Sequence, residues 1–217
     1  YVGPDANKHN LRRAIHELYV RTNSVVSKYR FCHFDSLRFL FNSFCTSFYG
    51  SPLWLLDTEA IEEFCVAWRK AVRKMFMLNY RTRSKYLPHV LNTLEIRYQL
   101  LNRFGSFIIS AAKSSNRLVG ACVGLIEHIS SSSTVSKNFR CLLFELKIPA
   151  RDCFTVLLND NINIRKKFYD LYMSMCPVNV VAEASVIRDL CRMRTHPDFY
   201  DSAEISHLLS VICTMPD

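Results

Sequence analysis

Glycine is scarce in this chain, with five residues among 217, and there are only seven prolines. So few turn-formers exclude collagen-like and low-complexity sequences and argue against folds of many short strands. Long regular elements remain. No apolar run reaches the roughly 18 residues that a membrane-spanning helix needs. Close cysteine pairs are also missing: the nine cysteines stand at 32, 45, 65, 122, 141, 153, 176, 191 and 213, none at CxxC or CxxxxC spacing. An odd number without framework spacing predicts reduced thiols in a nuclear or cytoplasmic setting. The start, Tyr1-Val-Gly-Pro-Asp-Ala-Asn7, has neither an initiating Met nor a signal-peptide pattern, and predicts an internal segment of a longer protein. A Gly-rich phosphate loop and a Ser/His/Asp nucleophile signature are absent. Cys32, His33 and Asp35 adjoin one another, but adjacency does not make a triad.

What is there is hydrophobicity and positive charge. Hydrophobic residues make up 49% of the chain, enough for a packed core. The formal net charge is +9, and it is uneven: residues 1–85 carry 14 Lys/Arg against 7 Asp/Glu, residues 86–217 carry 14 against 12. A basic front half calls for an acidic partner, of which phosphate backbones are the commonest.

Apolar periodicity predicts an all-α protein in two parts. A first helix is expected from Asn7 or Asn10, with Leu11, Ile15, Leu18, Val25 and Tyr29 on one stripe and Thr22 filling its gap. A second, starting at Asp35 or Ser36, is crowded by Leu37, Phe39, Leu40, Phe41, Phe44 and Phe48 and ends at Gly50-Ser-Pro52. Asp57 or Thr58 should cap a third, which gathers Ile61, Phe64, Cys65, Trp68, Val72, Met75 and Phe76 on one side. Arg69, Lys70, Arg73 and Lys74 take the other. Acids at its start and bases at its end suit the helix dipole. Dipole complementation does not require the bases to continue through Arg81, Arg83 and Lys85, with no acid anywhere from Arg69 to Lys85.

A short helix is expected after Ser84, then a longer one with Ile96, Leu100, Phe104, Phe107, Ile108 and Ala111. Gly105 within it costs roughly 1 kcal/mol relative to Ala, which predicts close packing or a kink there. Asn116–His128 should be helical, with Leu118, Val119, Cys122 and Leu125 apolar and Gly120 and Gly124 admitting another backbone. The expected division is residues 1–129, a Ser-rich linker at 130–138, and a C-terminal helical segment, 139–217. In that segment helices are expected near 151–157, 160–175, 180–194 and 202–213, while 139–148 fits strand or helix.

Phe39-Leu-Phe-Asn-Ser-Phe-Cys-Thr-Ser-Phe-Tyr-Gly-Ser-Pro-Leu-Trp54 resembles the "Leu-Phe…Cys…Tyr-Gly…Leu-Trp" signature that follows the polymerase palm in reverse transcriptases of non-LTR (LINE-type, jockey-like) retrotransposons. Tyr1-Val-Gly3 is similar to the turn ending that palm. Trp68-Arg69 and Arg73 fit the family's "Trp/Tyr-(Arg/Asn)-x-x-x-Arg" helix. Asn79-Tyr80-Arg81-Thr82-Arg83 departs from it, with Asn79 for the usual Pro and Arg83 for the usual His. The resemblance spans roughly residues 1–118 and rests on the order of these motifs, since none is specific alone. It implies a thumb that grips an RNA/DNA template–primer duplex, or structured RNA, for target-primed reverse transcription, with the palm as its neighbour in the parent chain. No Asp-Asp pair occurs here to hold the two metal ions of phosphoryl transfer. The chain alone is not expected to polymerise, and the divalent metal is expected in the missing palm, with no cofactor in this segment.

The resemblance and the charge pattern together nominate Lys8, Arg12, Arg13, Arg69, Lys70, Arg73, Lys74, Arg81, Arg83 and Lys85 as contacts to nucleic-acid phosphates. The competing reading is a solvated basic face. Aromatics interleave with bases at Tyr29-Arg-Phe-Cys-His-Phe34 and at Tyr80-Arg81, where stacking on unpaired bases competes with core packing. Core packing is favoured for Phe31 and Phe34, and Trp54 and Trp68 read as anchors between helices. Cys191, His196, His207 and Cys213 lack the tight pairs of a zinc site. The alternative function is a non-catalytic helical protein-interaction module derived from a retrotransposon remnant, with residues 86–217 as its working surface.

Overall fold

The structure, a computed structural model, describes residues 4–124, 126, 133–149, 163–194 and 202–214. These residues form an all-α protein without strands. The elements are α1 (Pro4–Tyr29), α2 (Phe34–Leu40), α3 (Glu59–Met75), α4 (Leu87–Val90), α5 (Ile96–Ala112), α6 (Arg117–Gly124), α7 (Thr134–Glu145), α8 (Ile164–Met175), α9 (Val178–Arg194) and α10 (Ser202–Thr214). A π-helical turn covers Phe41–Cys45, and 3-10 turns cover Ser51–Leu53 and Ser84–Tyr86. α1 starts earlier than Asn7 because Pro4 suits a first helical position, where its missing N–H has no partner to lose. The helix expected near 151–157 lies outside the described residues. Among the described residues no helix is long and apolar enough to cross a membrane.

By internal contacts the chain divides into two units, each assembled from separated stretches and not from the sequential parts expected above. The first comprises residues 1–8, 49–62 and 96–175. α5 is its central helix, with α6, α7, α8 and the Ser51–Leu53 turn packed on it. Leu100, Leu101 and Phe104 of α5 are fully buried, as are Leu142 of α7 and Phe168 of α8. Gly105 is where helices approach closely: a Cβ there would lie 2.6 Å from Ile164 Cδ1 and 3.4 Å from Leu142 Cδ2. Gly120 and Gly124 play no such part, since no described atom lies within 4 Å of a Cβ built on either. Leu118, expected on an apolar stripe, is exposed, and α6 buries only Val123.

The Ser-rich stretch is not a spacer from Ser133 onward. Ser133 caps α7, its Oγ accepting from the Ser136 N–H at 3.1 Å, and Ser136 and Asn138 are buried. Polar residues at a helix start are the chemistry of a cap. Asn138 carries a further load: its Nδ2 donates to the Trp54 carbonyl at 2.6 Å and its Oδ1 accepts from the Leu56 N–H at 2.9 Å. One buried side chain thus satisfies an acceptor and a donor of a backbone segment that has no sheet partner.

The second unit comprises residues 9–48, 63–95 and 176–217. Its core is aromatic: Phe34 and Phe76 lie 4.9 Å apart between ring centroids, Phe48 and Phe64 4.9 Å, and Phe41 and Trp68 6.3 Å. All seven residues expected on the apolar side of α3 are buried. The aromatic stretch before it is core only in part. Of its apolar residues only Phe34, Leu37, Phe41, Cys45 and Phe48, which fall at steps of three and four, are buried; Phe39 and Phe44 fall off that stripe and are exposed. Phe31 is likewise exposed, with Arg30 over its ring at 5.4 Å. Burial pushes the Cys45 thiol up to about 11, against the opposing pull of Thr22 and Arg21. Residues from Cys176 onward belong to this unit, and α9 packs on α2, α4 and the Ser84–Tyr86 turn.

Candidate nucleic-acid interface

α3 ends in a tight reversal. Met77 adopts φ 47, the Leu78 N–H donates to the Arg73 carbonyl at 2.8 Å, and the Met77 N–H donates to Lys74 at 3.3 Å. That pair of bonds is the Schellman arrangement, usually closed by glycine. Arg194 of α9 donates to the two carbonyls just beyond α3, at Phe76 and, at 3.2 Å, at Met77. A guanidinium there also suits the negative helix end.

The chain then folds back on α3 through Arg73. Its Nε and Nη2 both donate to the Thr82 carbonyl, at 3.0 and 2.6 Å, and Nη2 reaches Ser84 Oγ at 3.1 Å. Burial and the neighbouring charge of Arg69 hold the pKa of Arg73 below its ordinary value. Arg69 pairs with Glu95. These two nominated arginines are therefore engaged inside the unit, where they hold the turn and the chain beyond it.

The others are placed differently. Lys70 and Lys74, one turn apart on α3, are exposed. Arg81 and Lys85 are exposed on the segment that Arg73 fastens; Arg81 lies over the Tyr80 ring at 5.3 Å and Lys85 over the Tyr86 ring at 5.4 Å. Arg83 is half-buried and hydrogen-bonds Tyr86. Arg12 and Arg13 are exposed on α1, Arg13 paired with Glu17 at 3.0 Å. Lys8 is exposed and falls in the first unit.

Sequence reasoning missed Thr82, Ser84, Glu95 and Arg194 as the groups that shape this surface. Residues so far apart in sequence leave no local pattern. Tyr80, 76% exposed beside Arg81, was visible as an aromatic between bases. Among the described residues no three His, Cys, Asp or Glu side chains are placed to hold a metal ion. Cys191 is buried and His207 exposed, while His196 and the Cys213 side chain lie outside the described residues.

Compared with protein-family models, with curated proteins and with solved structures, the chain gives no match.

Proposed function

We propose that this chain is the thumb and C-terminal region of a non-LTR retrotransposon reverse transcriptase, and that it holds an RNA/DNA template–primer duplex during RNA-directed DNA synthesis. The observation that carries this reading is the Arg73 clamp. It fastens the turn bearing Arg81 to the helix bearing Lys70 and Lys74, in a stretch with no acidic residue from Arg69 to Lys85. Exposed cations on a stretch that carries no acid of its own suit a polyanion whose charge repeats along its length and whose sequence is not read. Chemistry belongs to an upstream palm, which supplies the metal ions, and the setting is nuclear or cytoplasmic.

The test is anisotropy titration of a labelled RNA/DNA hybrid with the reduced protein across a salt series. Micromolar or tighter binding that weakens steeply with salt supports the reading, and no binding at low salt removes it for the isolated chain. The interaction-module alternative draws on one observation in the first unit, the exposure of Leu118 and Phe144 at 77% and 81%. Single exposed apolar residues are common on globular surfaces, so this is the weaker case.

A further inference from the structure

Tyr80 combines two properties that rarely meet: an aromatic ring 76% open to solvent and a backbone that is firmly held. Asn79 organises the turn. Its Oδ1 accepts from the Arg81 N–H at 2.9 Å, its carbonyl accepts from the Thr82 N–H at 3.0 Å and the Thr82 hydroxyl at 2.7 Å, and its Nδ2 donates to Ser210 Oγ at 3.1 Å. Leu78 and Thr82, on either side, are buried at 8% and 1% exposure. Beyond them the Thr82 carbonyl is gripped by Arg73. The turn therefore projects Tyr80 and Arg81 outward from fixed ends.

Arg81 completes the arrangement. Its guanidinium carbon sits 5.3 Å from the Tyr80 ring centroid and its Nε donates to the Tyr80 Oη at 2.8 Å. The cation lies across one face of the ring and leaves the ring otherwise in water. An exposed tyrosine contributes little burial to folding. What it offers is an exposed π surface with a positive charge held against it.

We propose that Tyr80 and Arg81 form a stacking platform for an unpaired RNA nucleotide at the point where the strand leaves a duplex. The proposal rests on the phosphate-holding reading and adds what that surface recognises. A base inside a duplex has both faces covered by its neighbours, so only an unpaired or terminal base can lie on the ring. Stacking of this kind tolerates any base, and the adjoining phosphate meets Arg81. A peptide partner would lack that pairing of aromatic face and regular negative charge.

The test uses the full chain and two RNA/DNA hybrids of identical duplex sequence. One is blunt, and the other carries a short RNA extension with a fluorescent adenine analogue at its first unpaired position. Wild type is expected to prefer the extended hybrid and to quench the analogue. Tyr80→Leu should lose about 5- to 150-fold in affinity for the extended hybrid, the range for one stacked base, and keep its affinity for the blunt one. Tyr80→Phe should retain the preference, and Lys70→Gln with Lys74→Gln should weaken both hybrids alike. If Tyr80→Leu weakens both equally or neither, the platform is overturned while the lysine result still supports phosphate holding. If wild type binds neither hybrid, both readings fall. Phe31→Leu removes another exposed aromatic beside an arginine; loss of the preference there would also overturn the assignment to Tyr80.

Discussion

Arg73 holds the carbonyl oxygen of Thr82 from two nitrogens at once, Nε at 3.0 Å and Nη2 at 2.6 Å. A residue that the sequence marks as a contact to an outside partner is an internal fastening, and the lysines beside it are what face solvent. Replacing Arg73 by Met leaves the carbonyl of the buried Thr82 without its donor, a loss of about 1–3 kcal/mol. Lys is not an adequate substitute, because an ammonium cannot reproduce the planar fork. Lys70→Gln and Lys74→Gln should each stay within about 0.5 kcal/mol of wild type. Urea denaturation of the three variants measures the contrast.

Asn138 is expected to be among the most sensitive polar positions. Asn138→Leu keeps the volume but strands the Leu56 N–H and the Trp54 carbonyl, with an expected loss of about 2–4 kcal/mol. A midpoint close to wild type in chemical denaturation would show that the 54–56 segment finds other partners.

Burial holds the His89 imidazole below its ordinary value of 6.5, with Cys176 Sγ 3.2 Å from Nε2. The unfolded chain then binds the proton more readily than the folded one. This contribution to stability is complete above the ordinary histidine value and is lost as pH falls through it towards the depressed folded value. Thermal melts between pH 8 and 5 should show that acid limb, and His89→Gln should flatten it (this pH range brackets an unperturbed histidine at about 6.5).

Gly105→Ala brings two opposed effects. Helix propensity favours Ala by about 1 kcal/mol, while the new Cβ meets Ile164 Cδ1 at 2.6 Å. Because that atom ends a side chain that can rotate, the expected net change is within about 1 kcal/mol. Gly105→Leu cannot be absorbed this way and should destabilise by about 1–3 kcal/mol. Differential scanning calorimetry of both variants decides.

Much of the fold was legible because α3 and α5 carry apolar residues at helical spacing: those expected on α3 are all buried, as are Ile96, Leu100, Phe104 and Ile108 of α5, while Phe107 is exposed. The errors have identifiable causes. Phe39 and Phe44 crowd the same helix in sequence, but the stripe through Leu37, Phe41 and Cys45 leaves them outside the core. The Ser-rich stretch was read by composition as a linker, whereas from Ser133 it caps and starts α7. At the candidate site the basic run itself was plain. Which of its members face solvent depends on Thr82, Glu95 and Arg194, contacts that exist only once the chain has folded.

The central claim is that exposed cations on α3 and its following turn neutralise nucleic-acid phosphates. The most direct test is the slope of log affinity for an RNA/DNA hybrid against log salt, for wild type and for a variant with Lys70, Lys74, Arg81 and Lys85 all changed to Gln. Each phosphate contact contributes roughly 0.9 to that slope, so the variant should be shallower by about 2–4. A variant that binds with an unchanged slope would contradict the account, because these four residues would then touch no phosphate.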